Sequence, residues 1–305
     1  MADIEALRTQ TYSTNLNLLA QQMNSLFADS CYTQTGEGKA FRMMSQIDNT
    51  NMVEQTTRAA PAMNVDVTHD GRWVYPRAFG WGRVVDSIDT LQTNINPTGS
   101  YVRSAVAAAK RKADDLFIEA FFGTSKSGET GGTSLTFATS GSGDGITTEG
   151  QVVAVTEGVG SATGMNVSKL EEAYRLLLAA DVDMDMEVPV IGISPLQHKQ
   201  LKALTVVTSA DFNNRRVLGE DGVVRHFDGF DIVISNRLTT DSDSYRRCPV
   251  WVKSGMGRAI WKDLSGTVRN RSDLQRNPLY VEADMMLGFT RLEGVKCVEI
   301  KCSEA

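Results

Sequence analysis

Residues 71–85 read GRWVYPRAFGWGRVV, and this segment narrows what the chain can fold into more than any other. Trp73, Tyr75, Phe79 and Trp81 fall on one parity, so in an extended strand they share a face. Arg72, Arg77 and Arg83 are threaded among them, and no acid follows until Asp86. Pro76 has no N–H to donate, which excludes a central strand and leaves an edge or a projecting ribbon. A long aromatic edge left bare on a monomer is an aggregation hazard. Its economical use is to lie on another protein surface. Arg72, Trp73, Tyr75, Arg77, Phe79, Trp81 and Arg83 are therefore the candidate subunit-interface residues.

An arginine-laced aromatic ribbon also suits single-stranded nucleic acid, with rings stacking on bases and guanidiniums meeting phosphates. The charge balance argues against a dedicated binder. The chain carries 31 basic and 37 acidic residues, a net of −6 over 305 residues. Protein–protein contact is the reading this balance favours. A 41% hydrophobic content supports one large core or two modest ones.

Cys31, Cys248, Cys297 and Cys302 are read as reduced thiols. Cys297 and Cys302 are five positions apart and would point to opposite faces of one strand. The start, MADIEALRTQ, has neither a basic nor an apolar leader region, so no secretory signal is expected. No apolar run approaches a membrane span, and no membrane partner is expected.

Periodicity orders the rest of the chain. Residues 14–28 place Leu16, Leu19, Met23, Leu26 and Phe27 on one side of an expected helix. Lys39 to Ile47 and Arg72 to Val84 form two ribbon strands of a hairpin-like projection. Asn96 and Pro97 open a long helix ending at Gly123, with Ala, Leu and Phe inside and Lys110, Lys112, Asp114 and Glu119 outside.

Residues 123–164 are rich in Gly, Ser and Thr and are read as hairpins or an insertion. Ser168 with Glu171 forms an expected capping box. A strand from Val188 to Ile193 follows, and Ser194 and Pro195 start another helix. The remainder is strand: 222–226, 230–235, 250–253, 258–261, 279–283, 287–292 and 295–302.

Catalytic and metal chemistry find no pattern. His69, His198 and His226 lack ligand spacing. Asp181, Asp183, Asp185 and Glu187 alternate, but Met186 and Gly192 occupy the positions where an EF-hand needs Gly and Glu. Thr35 to Lys39 fails as a phosphate loop, since Thr33 and Ala40 replace the required Gly and Ser or Thr. No metal, no cofactor and no enzymatic activity are expected.

Three segments carry a family resemblance. Tyr101 to Gly132 is a helix rich in Ala, Arg and Asp running into a Gly-rich loop. Phe212 to Leu238 leads through Gly229-Phe230 into an apolar strand, and Leu287 to Cys302 closes the chain. With the order of elements, these resemble the major capsid proteins of tailed bacteriophages.

The resemblance implies an α+β phage capsid fold. Its parts are an N-terminal arm (1–38), an extended E-loop ribbon (39–90), a peripheral domain with a long spine helix and Gly-rich insertion (91–165), an α/β axial domain (166–260) and closing peripheral strands (261–305). It also implies self-assembly as hexamers and pentamers into an icosahedral shell. The implied partners are scaffolding and portal proteins and double-stranded DNA packaged without sequence specificity; assembly would take place in a host cytoplasm. Lys39 is the only lysine of the ribbon and matches no cross-linking position, so no covalent cross-link is implied. A bacterial encapsulin-type nanocompartment shell is the nearest alternative, and a nucleic-acid-binding module the more distant one.

Overall fold

The structure, a computed structural model, describes residues 20–47, 52–58, 64–65, 67, 69–85, 98–137, 150–204 and 222–304. Four strands come first: β1 (Tyr32–Thr35), β2 (Phe41–Ile47), β3 (His69–Val74) and β4 (Arg77–Val85). The long helix α1 (Thr98–Phe122) follows, then β5 (Thr124–Ser127), β6 (Thr133–Thr136) and β7 (Val152–Val153). Next are α2 (Val167–Ala179), β8 (Val190–Ile193) and α3 (Pro195–Ala203). The chain closes with β9 (His226–Phe227), β10 (Phe230–Ile234), β11 (Arg246–Trp251), β12 (Met256–Asn270), β13 (Leu279–Arg291) and β14 (Cys297–Cys302). The α+β class expected from the sequence is the one observed.

These elements fall into two compact units, both discontinuous in sequence. The larger comprises 26–77, 113–261 and 287–305; the smaller comprises 1–25, 78–112 and 262–286. Helix α1 and strands β12 and β13 each run from one unit into the other.

In the larger unit a six-stranded sheet has the order β7-β14-β11-β8-β10-β9. β8 and β10 are parallel, while β11 runs antiparallel to both β8 and β14. β8 is VIGI and wholly buried, as a strand covered on both faces must be. The core beside this sheet is aromatic. Phe27 stacks on Phe117 at 5.0 Å, and both rings meet Trp251, at 5.8 and 4.8 Å. All three are fully buried, each contributing about 1.5–3 kcal/mol or more of apolar burial. A second sheet, β2-β3-β5-β6, is antiparallel throughout, and β1 runs parallel to the first part of β12.

In the smaller unit the sheet order is β12-β13-β4. β13 alternates there: Val281, Ala283 and Met285 are buried, while Glu282 and Asp284 pair outward with Arg269 and Lys262.

Several expectations change. The helix read at 14–28 is absent from the described part, residues 20–28; residues 14–19 lie outside the described residues. The amides of Leu26 and Phe27 donate to the Asp114 carboxylate, so they cannot serve a helical ladder. Asp114, placed outside by the helical pattern, is fully buried for this reason. The long helix occupies the expected span, although Asn96 and Pro97 lie outside the described residues.

Asn166, rather than Ser168, caps α2, with its side chain accepting the Lys169 amide at 2.8 Å. Ser194 and Gln197 do form the capping box of α3. The strands expected at 279–283 and 287–292 are one strand. The strand expected at 258–261 extends from Met256 to Asn270.

Candidate assembly surface

The segment 71–85 is not one strand. It breaks at Tyr75-Pro76 into β3, which joins the β2-β3-β5-β6 sheet, and β4, which joins a different sheet. The four aromatics therefore do not share one continuous face. Gly288 makes the break possible: a Cβ there would lie 2.6 Å from the Tyr75 carbonyl oxygen and 2.7 Å from Val74. Only a residue without a side chain lets the backbones approach so closely.

Arg72 is an internal residue of the monomer. Its side chain is buried, its Nε donates to the Leu292 carbonyl at 2.9 Å, and its guanidinium pairs with Asp70. Asp70 also accepts the Ser127 hydroxyl at 2.6 Å and the amides of Gly71 and Gly128 at 2.7 and 3.1 Å. Partial burial works to raise the Asp70 pKa. These donors, with Arg72, outweigh it and hold the carboxyl down at about 2. Trp73 is half-buried, and its indole N–H donates to the Gly128 carbonyl at 2.7 Å. Arg72 and Trp73 thus hold the ribbon to β5 and the loop after it.

Tyr75 is 47% exposed. Arg77 pairs with Glu119 at 2.8 Å, with both side chains largely in solvent, so the pair contributes little to stability. In the smaller unit, Phe79 and Trp81 are half-buried along α1, where Ala105 and Ala109 provide a low wall. Lys112 places its ammonium 5.3 Å from the Phe79 ring, and the Arg83 guanidinium lies 5.4 Å from the Tyr101 ring.

Among the described residues near the far end of the ribbon, four apolar side chains are exposed within a mostly polar stretch. Met52 is fully exposed, with Ile47, Val53 and Val65 also open to solvent. β2 and β3 pair from Phe41↔Val74 to Ile47↔His69, with a register shift between Arg42 and Met44, so Met52, Val53 and Val65 lie beyond the paired stem.

The histidines stand apart from one another. His69 begins β3, His198 accepts the Val224 amide at 3.1 Å, and His226 meets Asp231 at 2.9 Å. Burial first, then Lys202, lowers the His198 pKa, consistent with a neutral acceptor ring. In the acidic run, Asp183 caps the Asp185 amide and Glu187 accepts the Ser254 hydroxyl at 2.6 Å, which makes it a turn. Among the described residues no group of three His, Cys, Asp or Glu is placed to hold a metal ion. No described helix is long and apolar enough to cross a membrane.

Two organising residues were invisible to sequence reasoning. Asp114 receives the N-terminal segment, and Arg291 ends α1. The buried Arg291 guanidinium donates to the carbonyls of Phe121 at 2.6 Å, Gly123 at 2.8 Å and Leu135 at 3.1 Å. Nothing local to LGFTRLEG signals that role, because the carbonyls come from far earlier in the chain.

A family model described as phage capsid protein matches residues 4–304. No curated protein matches the chain. Among solved structures, the capsid of cyanophage P-SCSP1u aligns over 100% of this chain and 96% of its own, with a TM-score of 0.70 at 15% identity. A Mycobacterium phage Che8 chain aligns over 98% of both, with a TM-score of 0.69 at 14% identity. The cyanophage Pam1 capsid subunit aligns over 100% of both, with a TM-score of 0.68 at 14% identity. At such identities the likeness concerns the fold, and the match of the family model across almost the whole length assigns the membership: the chain belongs to the phage capsid protein family.

Proposed function

We propose that the chain is the major shell subunit of a phage capsid, closing with copies of itself, in sixes and fives, into an icosahedral container for double-stranded DNA. It does this by geometry rather than by catalysis. The family match supports this reading over an encapsulin-type compartment.

The observation that carries the reading is the β2/β3 ribbon, whose outer end exposes Ile47, Met52, Val53 and Val65 to water. Exposed apolar side chains on an extended ribbon are costly unless another surface covers them. The ribbon fits the role of an E-loop lapping a neighbour, with Tyr75, Arg77, Phe79, Trp81 and Arg83 supplying seam contacts and Arg72 and Trp73 holding the stem. Scaffolding and portal proteins complete assembly in the host cytoplasm. A net charge of −6 keeps the wall from trapping the packaged DNA. Sedimentation of the purified chain tests this: capsomers or megadalton particles are expected, and a monomer that stays monomeric at every concentration and with scaffold overturns it.

A further inference from the structure

The smaller unit contains an apolar notch of about 170 Å³ between β4 and α1. Its walls include Phe79, Trp81, Ala105, Ala109 and Met285. That is the size class of an apolar cavity of ~150 Å³ that admits a benzene ring, so one large aliphatic side chain fills it. Lys112 is the one charged residue lining it, and among the described residues no carboxylate pairs with its ammonium.

The ribbon end offers the complementary pattern. Met52 is fully exposed, Val53 is also open to solvent, and Glu54 follows, exposed as well. Residues two apart share a face in an extended chain, so Met52 and Glu54 can face one neighbour together when this stretch is extended on it. Met is the side chain best suited to an irregular aromatic-walled gap, because it is unbranched and its sulfur favours ring contacts.

We propose that Met52 of one copy seats in the Phe79/Trp81 notch of a second copy, with Glu54 of the first pairing with Lys112 of the second. This rests on the reading of the chain as a shell subunit, and it assigns that subunit a specific lock. Apolar burial supplies the attraction, and the single ion pair fixes register against a sliding ribbon.

The test begins with capsomers or particles of the unmodified chain; if it stays monomeric at every concentration and with scaffold, the shell reading fails and not merely the lock. Particles are then assembled from an equal mixture of ¹⁵N-labelled and unlabelled Met52→Cys/Ala109→Cys chains and oxidised with copper phenanthroline. The native cysteines are buried and do not compete. The expected product joins tryptic peptide 43–58 to peptide 104–110 with mixed isotopic labels. Assembled particles without that disulfide, or with it only within single chains, overturn the proposal, as they would if residues 1–19 of the same chain filled the notch.

If the double-cysteine chain does not assemble, charge exchange decides. Glu54→Lys and Lys112→Glu should each lower particle yield about tenfold, and the double exchange should restore it. Single variants that assemble normally, or a double variant that stays defective, overturn it.

Discussion

The Asp114 carboxylate accepts the backbone amides of Phe27 at 3.3 Å and Leu26 at 3.1 Å, joining positions 87 and 88 residues apart. This contact seats Phe27 against Phe117 and Trp251 and draws the amides of Leu26 and Phe27 out of any helical ladder. Asp114→Ala would leave two amide donors without their acceptor and should cost about 3 kcal/mol in urea unfolding. Asp114→Asn, which keeps one acceptor oxygen, should cost less. Equal losses for the two would argue that the carboxylate is not the receiver.

Arg291 closes the end of α1, donating to the Phe121 carbonyl 170 positions away and to that of Gly123, just past the helix, 168 away. Arg291→Met removes all of these donors at once and should destabilise by about 3 kcal/mol or more. Arg291→Lys keeps the charge but loses the planar fork, so an intermediate loss is expected. Denaturation midpoints of the two variants, read together, check the order.

Asp70 gives the ribbon stem an acid limit. Its folded pKa is about 2, below the ordinary value of 3.8, so its contribution is complete above about pH 4. That contribution is lost as pH falls toward 2. The group is partly solvated, so screening leaves about 1 kcal/mol at most. The stability difference between wild type and Asp70→Asn should shrink between pH 4 and 2; a difference constant across that range would contradict the assignment.

Gly288 and Gly266 separate close approach from ordinary space. A Cβ at 288 meets the Tyr75 carbonyl at 2.6 Å, whereas one at 266 comes no nearer than 3.8 Å to the Glu282 carbonyl. Gly288→Ala should cost about 1–3 kcal/mol and Gly266→Ala less than about 0.5 kcal/mol. Thermal melts of both variants measure this directly.

The sequence was most readable where period and burial agree. The spacing from Val102 to Phe121 marks α1, and the same helix passes from an Ala-rich half in the smaller unit to a Leu- and Phe-rich half in the larger. The ribbon was visible as two strands flanking a polar loop. Its break at Pro76 was visible as a constraint but not as a change of sheet, since that depends on Gly288 more than 200 positions later. Asp114 was read outward because a pattern counts charges as solvent-facing, and only the distant amides of Leu26 and Phe27 make its burial favourable. Of the seven proposed seam residues, Arg72 turned inward for the same kind of reason: Leu292 and Asp70 satisfy it internally.

The central claim is that the ribbon end joins copies of the chain. Among the described residues Ile47 and His69 are the last paired positions of the stem, so replacing 48–68 with Asn-Gly supplies a two-residue hairpin turn and keeps the described pairs. Sedimentation velocity with negative-stain microscopy of the full chain and this shortened chain is the most direct measurement. The account predicts shells or capsomers from the full chain and a folded, cooperatively melting monomer from the shortened one. Closed shells of normal size from the shortened chain would contradict it.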